Sequence, residues 1–457
     1  MADIHQLLSM RSYFESGETK SYTFRNEQLV KLKKTIIKYE LAIYEALNKD
    51  LKKSAEESFV TETGLVLAEI KYILNNLKSW MKKERVSTNM LNLPSSSFVM
   101  QEPLGVVLII GPWNYPFYLL INPLIGAIAA GNCVVLKPSE SATATEAIMK
   151  TIIEEIFDKK YILYAEGNGT EIVPAMMNNF RFDHVFFTGS TTVGRLVYKM
   201  AADKLVPVTL ELGGKSPCVV EADANIKVSA RRITIAKFSN AGQMCVAPDY
   251  VLVHSSKKEE LVNELKNNIS KFFSDDPVND YNYCKIINEK QFDRLVSYLH
   301  QGHLVYGGNF DRDKLYIEPT IIENVTLDES IMQEEIFGPI LPVFSFNTHE
   351  EAMQIIRANP DPLSFYIYTS RYKKEKEWLA AIPAGGACVN NSSWHVANHH
   401  LPFGGRGNSG IGNYHGKNSF NVFSHAKAVL KTPTWFDPAI KYPPFNGKLK
   451  LFKWVLR

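Results

Sequence analysis

The chain has 457 residues, a net charge of +3, 45% apolar content and 22% charged residues. That is too long for one ordinary core, so two or three domains are expected, and too nearly neutral for the electrostatic footprint of a nucleic-acid partner. The five cysteines (Cys133, Cys218, Cys245, Cys284, Cys388) are scattered, odd in number and free of CxxC spacing; reduced thiols in a cytoplasmic protein fit this better than disulfides or a zinc site, and no metal is expected.

The first residues, MADIHQLLSM, have no long apolar run behind a basic start, so no secretory signal is expected. From 26 to 84 apolar residues recur at helical spacing (Leu29, Leu32, Ile36, Ile37, Leu41, Leu47) among many Lys and Glu. These read as amphipathic surface helices with their charges on solvated faces. Residues 85–103 are polar and turn-rich between two short extended runs, a hairpin that projects from its domain.

The most apolar stretch, 104–131, is broken by Gly111, Pro112, Asn114, Pro116, Asn122 and Pro123. It reads as buried strand, loop and helix, so no integral membrane segment is expected. LGVVLII, GNCVVLK, YILYAEG, DHVFFTG and PVTLELG are five short apolar runs rich in Val, Ile, Leu and Phe, as buried parallel strands should be. Helical patterns lie between them, such as SATATEAIMKTIIEEIF with Ser and Thr as expected caps and Ile148, Ile152 and Ile156 on one face. The alternation describes a doubly wound nucleotide-binding sheet. GSTTVG (189–194) follows a strand and opens a helix, where backbone amides meet a phosphate in many folds; an ordinary strand-to-helix turn would look the same.

KFSNAGQMCVAPD (237–249) places Cys245 among small, polar, turn-prone residues, which suits a nucleophile presented in a cleft. On this stretch alone a buried structural thiol fits equally well. Beyond it, YVLVHSS, a Lys- and Glu-rich helix to about Phe273, and the runs YIEPTIIENV and ILPVFSF form a second α/β domain. A glycine-rich loop begins at 401, and the end, YPPFNGKLKLFKWVLR, is basic and aromatic. That tail is expected to dock on the body or a neighbouring subunit, with contact to a membrane surface the alternative.

PWNYP (112–116), KPSE (137–140), FTGSTTVG (187–194), LELGGKSP (210–217), GQMC (242–245), EEIFGP (334–339) and PFGG (402–405) together resemble the ordered motif set of the aldehyde dehydrogenase superfamily. The glycine-rich ending with YPPF after it resembles the class 3 branch. The resemblance implies an α/β protein with a doubly wound dinucleotide-binding sheet (1–84 and 104–210), a second α/β catalytic domain (211–400), a small oligomerisation β element (85–103 and 413–430) and a tail (431–457). It implies a homodimer that oxidises an aldehyde, medium- or long-chain aliphatic or aromatic, to the acid through a cysteine thiohemiacetal and thioester. Residue by residue, it makes Cys245 the nucleophile, Asn114 an oxyanion donor beside the Cys245 N–H, and Glu211 the base for deacylation.

For the cofactor, the resemblance assigns Lys137 and Glu140 to the adenosine ribose. Gly189, Ser190, Thr191, Thr192, Val193 and Gly194 form the turn at the dinucleotide, and Glu335 and Phe337 hold the nicotinamide end. Pro112 and Trp113 line the same cleft, Glu334 has no assigned role, and Tyr115 and Phe403 border the substrate tunnel. A carboxylate at Glu140 favours NAD, with NADP accepted less well. A CoA-acylating or acyl-reductase relative would resolve the thioester with another nucleophile, against which Glu211 argues. A non-catalytic binding protein on this fold would have lost catalytic residues, and none is missing.

Overall fold

The protein is described by a computed structural model over residues 4–456. Met1 to Asp3 and Arg457, the outermost residues of the expected first domain and tail, lie outside the described residues. Two parallel sheets, each with its own core, carry the architecture.

The first sheet has six strands in the order Gly410–Ile411, Val208–Leu212, His184–Gly189, Val106–Ile110, Cys133–Lys137, Ile162–Tyr164. All pairings are parallel except that of Gly410–Ile411. The five parallel strands are those read from the sequence, buried on both faces as their unbroken Val, Ile and Leu content requires. From Val106–Ile110 the chain winds outward through two strands, then crosses back to His184–Gly189. The crevice at that reversal, beyond the carboxyl ends of the strands, is where a doubly wound sheet binds ligands.

The N-terminal helices Ile4–Glu15, Tyr22–Lys38, Glu40–Leu51 and Gly64–Trp80 bury Leu29, Leu32, Ile36, Leu47, Ile70 and Ile73 in the first core. Ile37 and Leu41, on either side of a helix break at Tyr39, stay exposed despite their helical spacing. The expectation that the charges of this region lie on solvated faces fails in part, for Arg25, Asp50, Lys53, Glu62 and Glu69 are buried. Asp50 has a helix to cap. Its carboxylate accepts the N–H groups of Ala144 and Thr145, at 3.0 and 2.8 Å, so the helix Thr143–Ile156 is capped from a neighbouring helix rather than by its own Ser or Thr.

The second sheet has seven strands, ordered His303–Tyr306, Thr320–Glu323, Ile340–Phe346, Tyr250–His254, Pro217–Val220, Ser364–Tyr368, Gly386–Val389. Only the first pairing is antiparallel. The break between the sheets follows Leu212, so the expected boundary at 210/211 falls inside a strand, and Glu211 stands on the first sheet. The hairpin Glu84–Val86/Ser96–Pro103 gains a third antiparallel strand, Ser424–Lys431, in continuous register from Ser424 opposite Pro103 to Lys431 opposite Ser96. Of the expected 413–430 segment, Tyr414, Phe420 and Phe423 belong instead to the first core. The tail helix Leu449–Leu456 lies against Met90–Asn92 and leaves Trp454 and Leu456 exposed.

Candidate active site

Helix Ile226–Phe238 runs out into a turn in which Asn240 (φ 50°), Ala241 (φ 50°) and Gly242 (φ 73°) are all left-handed. For a non-glycine residue that conformation costs about 1–2 kcal/mol, so the turn must be held by its surroundings. Gly242 has no alternative, because a Cβ there would lie 2.2 Å from the Gly338 carbonyl oxygen. The Gln243 side chain locks the turn: its Nε2 donates to the Asn240 and Lys285 carbonyls, each at 3.0 Å, and its Oε1 accepts the Ile287 N–H at 3.0 Å.

Cys245 emerges from this turn half-buried. Its thiol donates to Glu211 Oε1 at 3.1 Å. Glu211 is 1% exposed, and its Oε2 accepts from the Thr188 hydroxyl on the adjacent strand and from the Tyr414 hydroxyl, both at 3.2 Å. Burial pushes the Glu211 carboxyl above its usual value, and the Cys245, Thr188 and Tyr414 donors pull it partly back. Burial also pushes the Cys245 thiol well up, with the neighbouring Glu211 carboxylate adding to the effect. Asn114, 2% exposed, follows strand Val106–Ile110 and donates its Nδ2 to the Gln243 carbonyl at 3.0 Å. The structure thus brings Cys245, Glu211 and Asn114 into one site from three separate stretches of chain.

Two cavities meet there, sharing Cys245, Glu211 and Leu119 in their walls. The larger, about 940 Å³, sits at the carboxyl ends of the first sheet and is lined by Pro112, Trp113, Asn114, Glu140, Gly189 to Val193, Glu335 and Phe337. Its fit to a dinucleotide rests on its wall chemistry. Ser190 caps the helix Thr191–Ala202 through the Val193 N–H at 3.4 Å, so a helix start with further unsatisfied amides stands at the cavity wall. Gly213 admits the Glu335 carboxylate, whose Oε2 would be 1.8 Å from a Cβ at that position. Phe337, at φ 49°, meets Trp113 edge-on with ring centroids 5.2 Å apart.

Two of the residues assigned to the cofactor stand outside this lining. Gly194 packs its helix on the sheet: a Cβ there would meet Leu212 Cδ2 at 2.4 Å. Lys137, 1% exposed, turns onto the Pro138 carbonyl and onto Glu140 Oε2, 3.2 Å away. Glu140 itself reaches the cavity. Its burial raises the carboxyl, but its own backbone N–H, the Lys137 charge and the Gly169 N–H outweigh that and hold it below the usual value. Glu334, more than half exposed, accepts from the Tyr298 hydroxyl and lies 3.8 Å from Arg294.

The smaller cavity, about 570 Å³, is largely apolar, with Val60, Leu65, Tyr118, Ile235, Met244, Phe272, Trp394 and Val396 in its walls. Tyr115 and Phe403, expected at a substrate tunnel, both line it. Sequence reasoning missed Tyr414, Thr188 and the charged groups behind the Cys245 turn. Thr188 was within reach, since it lies in the FTGS stretch of the strand beside Glu211; Tyr414 carries no local signal, because only the chain's return to the first sheet brings it there.

Residues 7–429 match the family described as the Aldehyde dehydrogenase family. The 4,4'-diaponeurosporen-aldehyde dehydrogenase of Staphylococcus aureus is 45% identical over 97% of this chain and 96% of its own length. The dimeric, NADP-preferring aldehyde dehydrogenase of Canis lupus familiaris is 40% identical over 96% of this chain and 97% of its own. Among solved structures, the substrate-bound state of Staphylococcus aureus AldH superposes with a TM-score of 0.98 at 43% identity, covering 100% of both chains.

Proposed function

The chain belongs to the aldehyde dehydrogenase family and oxidises aldehydes with a nicotinamide dinucleotide, and from that premise we propose that Cys245, Glu211 and Asn114 carry the chemistry. The observation that carries the reading is the 3.1 Å contact between the Cys245 thiol and Glu211 at the point where the two cavities join. Aldehyde arriving from the smaller cavity meets the sulfur there. Glu211 accepts the thiol proton, the thiolate bonds to the aldehyde carbon, and the carbonyl oxygen becomes the oxyanion of a thiohemiacetal. The second N–H of the Asn114 amide and the Cys245 backbone N–H are the donors for that oxyanion; one such donor is worth about a hundred- to a thousandfold in rate. The dinucleotide, when bound, supplies the hydride acceptor that turns the thiohemiacetal into a thioester. Once Glu211 has passed the thiol proton to solvent it takes a proton from water, which attacks the thioester; the carboxylic acid leaves and the departing thiolate takes that proton back from Glu211.

In the cofactor cavity, Ser190 to Val193 face the dinucleotide, Glu335 and Phe337 its nicotinamide end, and Glu140 its adenosine ribose. An ionised Glu140 favours NAD, while Lys137 beside it tempers the repulsion of a 2′-phosphate, so NADP is a second cofactor; the name of the canine relative supports that latitude. The substrate is a medium- or long-chain aliphatic or an aromatic aldehyde, supported by the apolar walls of the 570 Å³ cavity. The protein works in the cytoplasm as a homodimer, with the free edge of strand Ser424–Lys431 its contact; no helix among the described residues is long and apolar enough to cross a membrane. Incubation with aldehydes of graded chain length and NAD or NADP, with and without CoA, tests the reading. Free acid formed without CoA is the expected product, and acyl-CoA would overturn the deacylation role of Glu211.

A further inference from the structure

The N-terminal helical region, remote in sequence from every motif that carries chemistry, supplies Val60 and Leu65 to the smaller cavity and also reaches the backbone around Cys245 and Asn114 through three charged side chains. Helix Ala55–Ser58 passes into one π-helical turn, Phe59–Thr63, before resuming as Gly64–Trp80. Such turns are rare and recur at functional sites. Here Glu57 lies just before the turn and Glu62 within it, and both point inward. Glu62 and Lys53 are fully buried and paired at 2.5 Å.

Each of the three groups ends on backbone that belongs to the site. The Lys53 ammonium donates to the Asn114 carbonyl at 3.1 Å and stands 3.8 Å over the Tyr115 ring. The second oxygen of Glu62 accepts the N–H groups of Phe117 and Tyr118, at 3.0 and 3.1 Å. Glu57 Oε1 accepts the N–H of Asn240, the first left-handed residue of the turn before Cys245, at 2.9 Å. Asn240 closes the circuit, its side chain donating to the Asn114 and Gln243 carbonyls at 2.9 and 3.1 Å. One continuous network therefore fixes the loop of Asn114 and the turn of Cys245 relative to each other.

We propose that Lys53, Glu57 and Glu62 are positioning residues that hold the Asn114 loop and the strained Asn240–Gly242 turn in register, and so set the rate of the first, acylating step. This rests on the assignment of Cys245 and Asn114 to that step. Two buried charges hydrogen-bonded to several backbone groups would be an expensive way merely to fill space, since an apolar pair of the same volume does that as well. What they add is directional control over two loops whose misplacement by about 1 Å costs on the order of a hundredfold in rate.

The test compares Glu57→Ala with Glu57→Gln by rapid mixing with aldehyde and NAD. Alanine removes the acceptor of the Asn240 N–H and glutamine keeps one. Glu57→Ala is expected to slow the NADH burst by about ten- to a hundredfold, with NAD binding unchanged, and Glu57→Gln to restore most of it. Because Lys53→Met alone strands a buried carboxylate, the pair is tested together as Lys53→Met/Glu62→Gln, which is expected to fold, bind NAD and show the same slowed burst. A wild-type burst in Glu57→Ala and in the double variant overturns the proposal, as does a Glu57→Gln burst as slow as that of alanine. Cys245→Ala, run alongside, separates the failures: if it keeps its turnover, the site assignment has failed and not the clamp.

Discussion

The two cavities that meet at Cys245 are made in different ways. The larger, proposed to hold the cofactor, is walled by strand ends and the turns that follow them: 110–114 after one strand, 189–193 after another, 211–215 after a third. The smaller, proposed to hold the substrate, is walled by helix faces and loops from 54–65, 115–119, 235–246, 271–282 and 393–403, remote from one another in sequence. Ladder hydrogen bonds fix a strand end to a fraction of an ångström, which is what hydride transfer and oxyanion binding demand. An apolar wall needs only shape and volume, and packing supplies those from whatever side chains arrive there.

The contrast is broken most severely at the junction itself. Cys245→Ala is expected to leave roughly a thousandth of wild-type turnover or less, while a binding titration with NAD, which uses the walls of the larger cavity, gives an unchanged affinity. Residual activity of a few per cent would move the nucleophile elsewhere. Glu211→Gln should reduce steady-state turnover by about a hundred- to ten thousandfold and still release a burst of NADH, itself slowed because the Cys245 thiol loses its proton acceptor, followed by a stalled acyl-enzyme visible by intact mass. Turnover at the wild-type rate would instead direct the search for a base to Glu335.

The pH dependence sharpens the same point. In the proposed role of base Glu211 must be ionised, and burial raises its carboxyl. The acid limb of kcat should therefore lie above the ordinary glutamate range, with activity present at high pH and lost on acidification through the raised value. Tyr414→Phe removes a donor that stabilises the carboxylate, so it should move that limb to still higher pH; a limb that stays put would detach Tyr414 from the base.

Smaller effects distinguish one side from the other. Glu140→Thr should shrink a preference for NAD over NADP of roughly ten- to thirtyfold, read as the ratio of kcat/KM for the two cofactors, and leave the aldehyde profile alone. An unaltered ratio would mean that the carboxylate points away from the ribose. Ile235→Ala, on the substrate wall, should lower kcat/KM for long-chain aldehydes by about fivefold, as expected for roughly 1 kcal/mol of lost apolar contact, with short-chain aldehydes and both cofactors unaffected. An equal loss for short and long chains would show that the wall supports the catalytic turn rather than the substrate tail.

By itself the sequence determined what is local. Five Val- and Ile-rich runs with helices between them specified the parallel sheet, because strands buried on both faces must be apolar throughout. The stretches at 112–114, 189–193, 211, 245 and 335–337 all supply residues to the wall of the larger cavity, because each is the end of a buried strand or a turn that follows a buried element. Tertiary structure alone decided the rest. Glu57 and Glu62 sit on helical turns and Lys53 in the short link before them, a region whose periodicity and charge look like a solvated surface, and only the fold, with its π-helical turn and the packing of Gly64–Trp80 on the first core, brings them inward. Asp50 caps a helix 94 residues away, and Tyr414 reaches Glu211 from a segment 203 residues downstream. Gly194 looks like a cofactor contact in the GSTTVG pattern, but its missing side chain serves the packing of its helix on Leu212. A pattern of residue types records periodicity and turn chemistry; it does not record which side chain from a distant element satisfies a buried donor, because that depends on where the two cores bring their surfaces together.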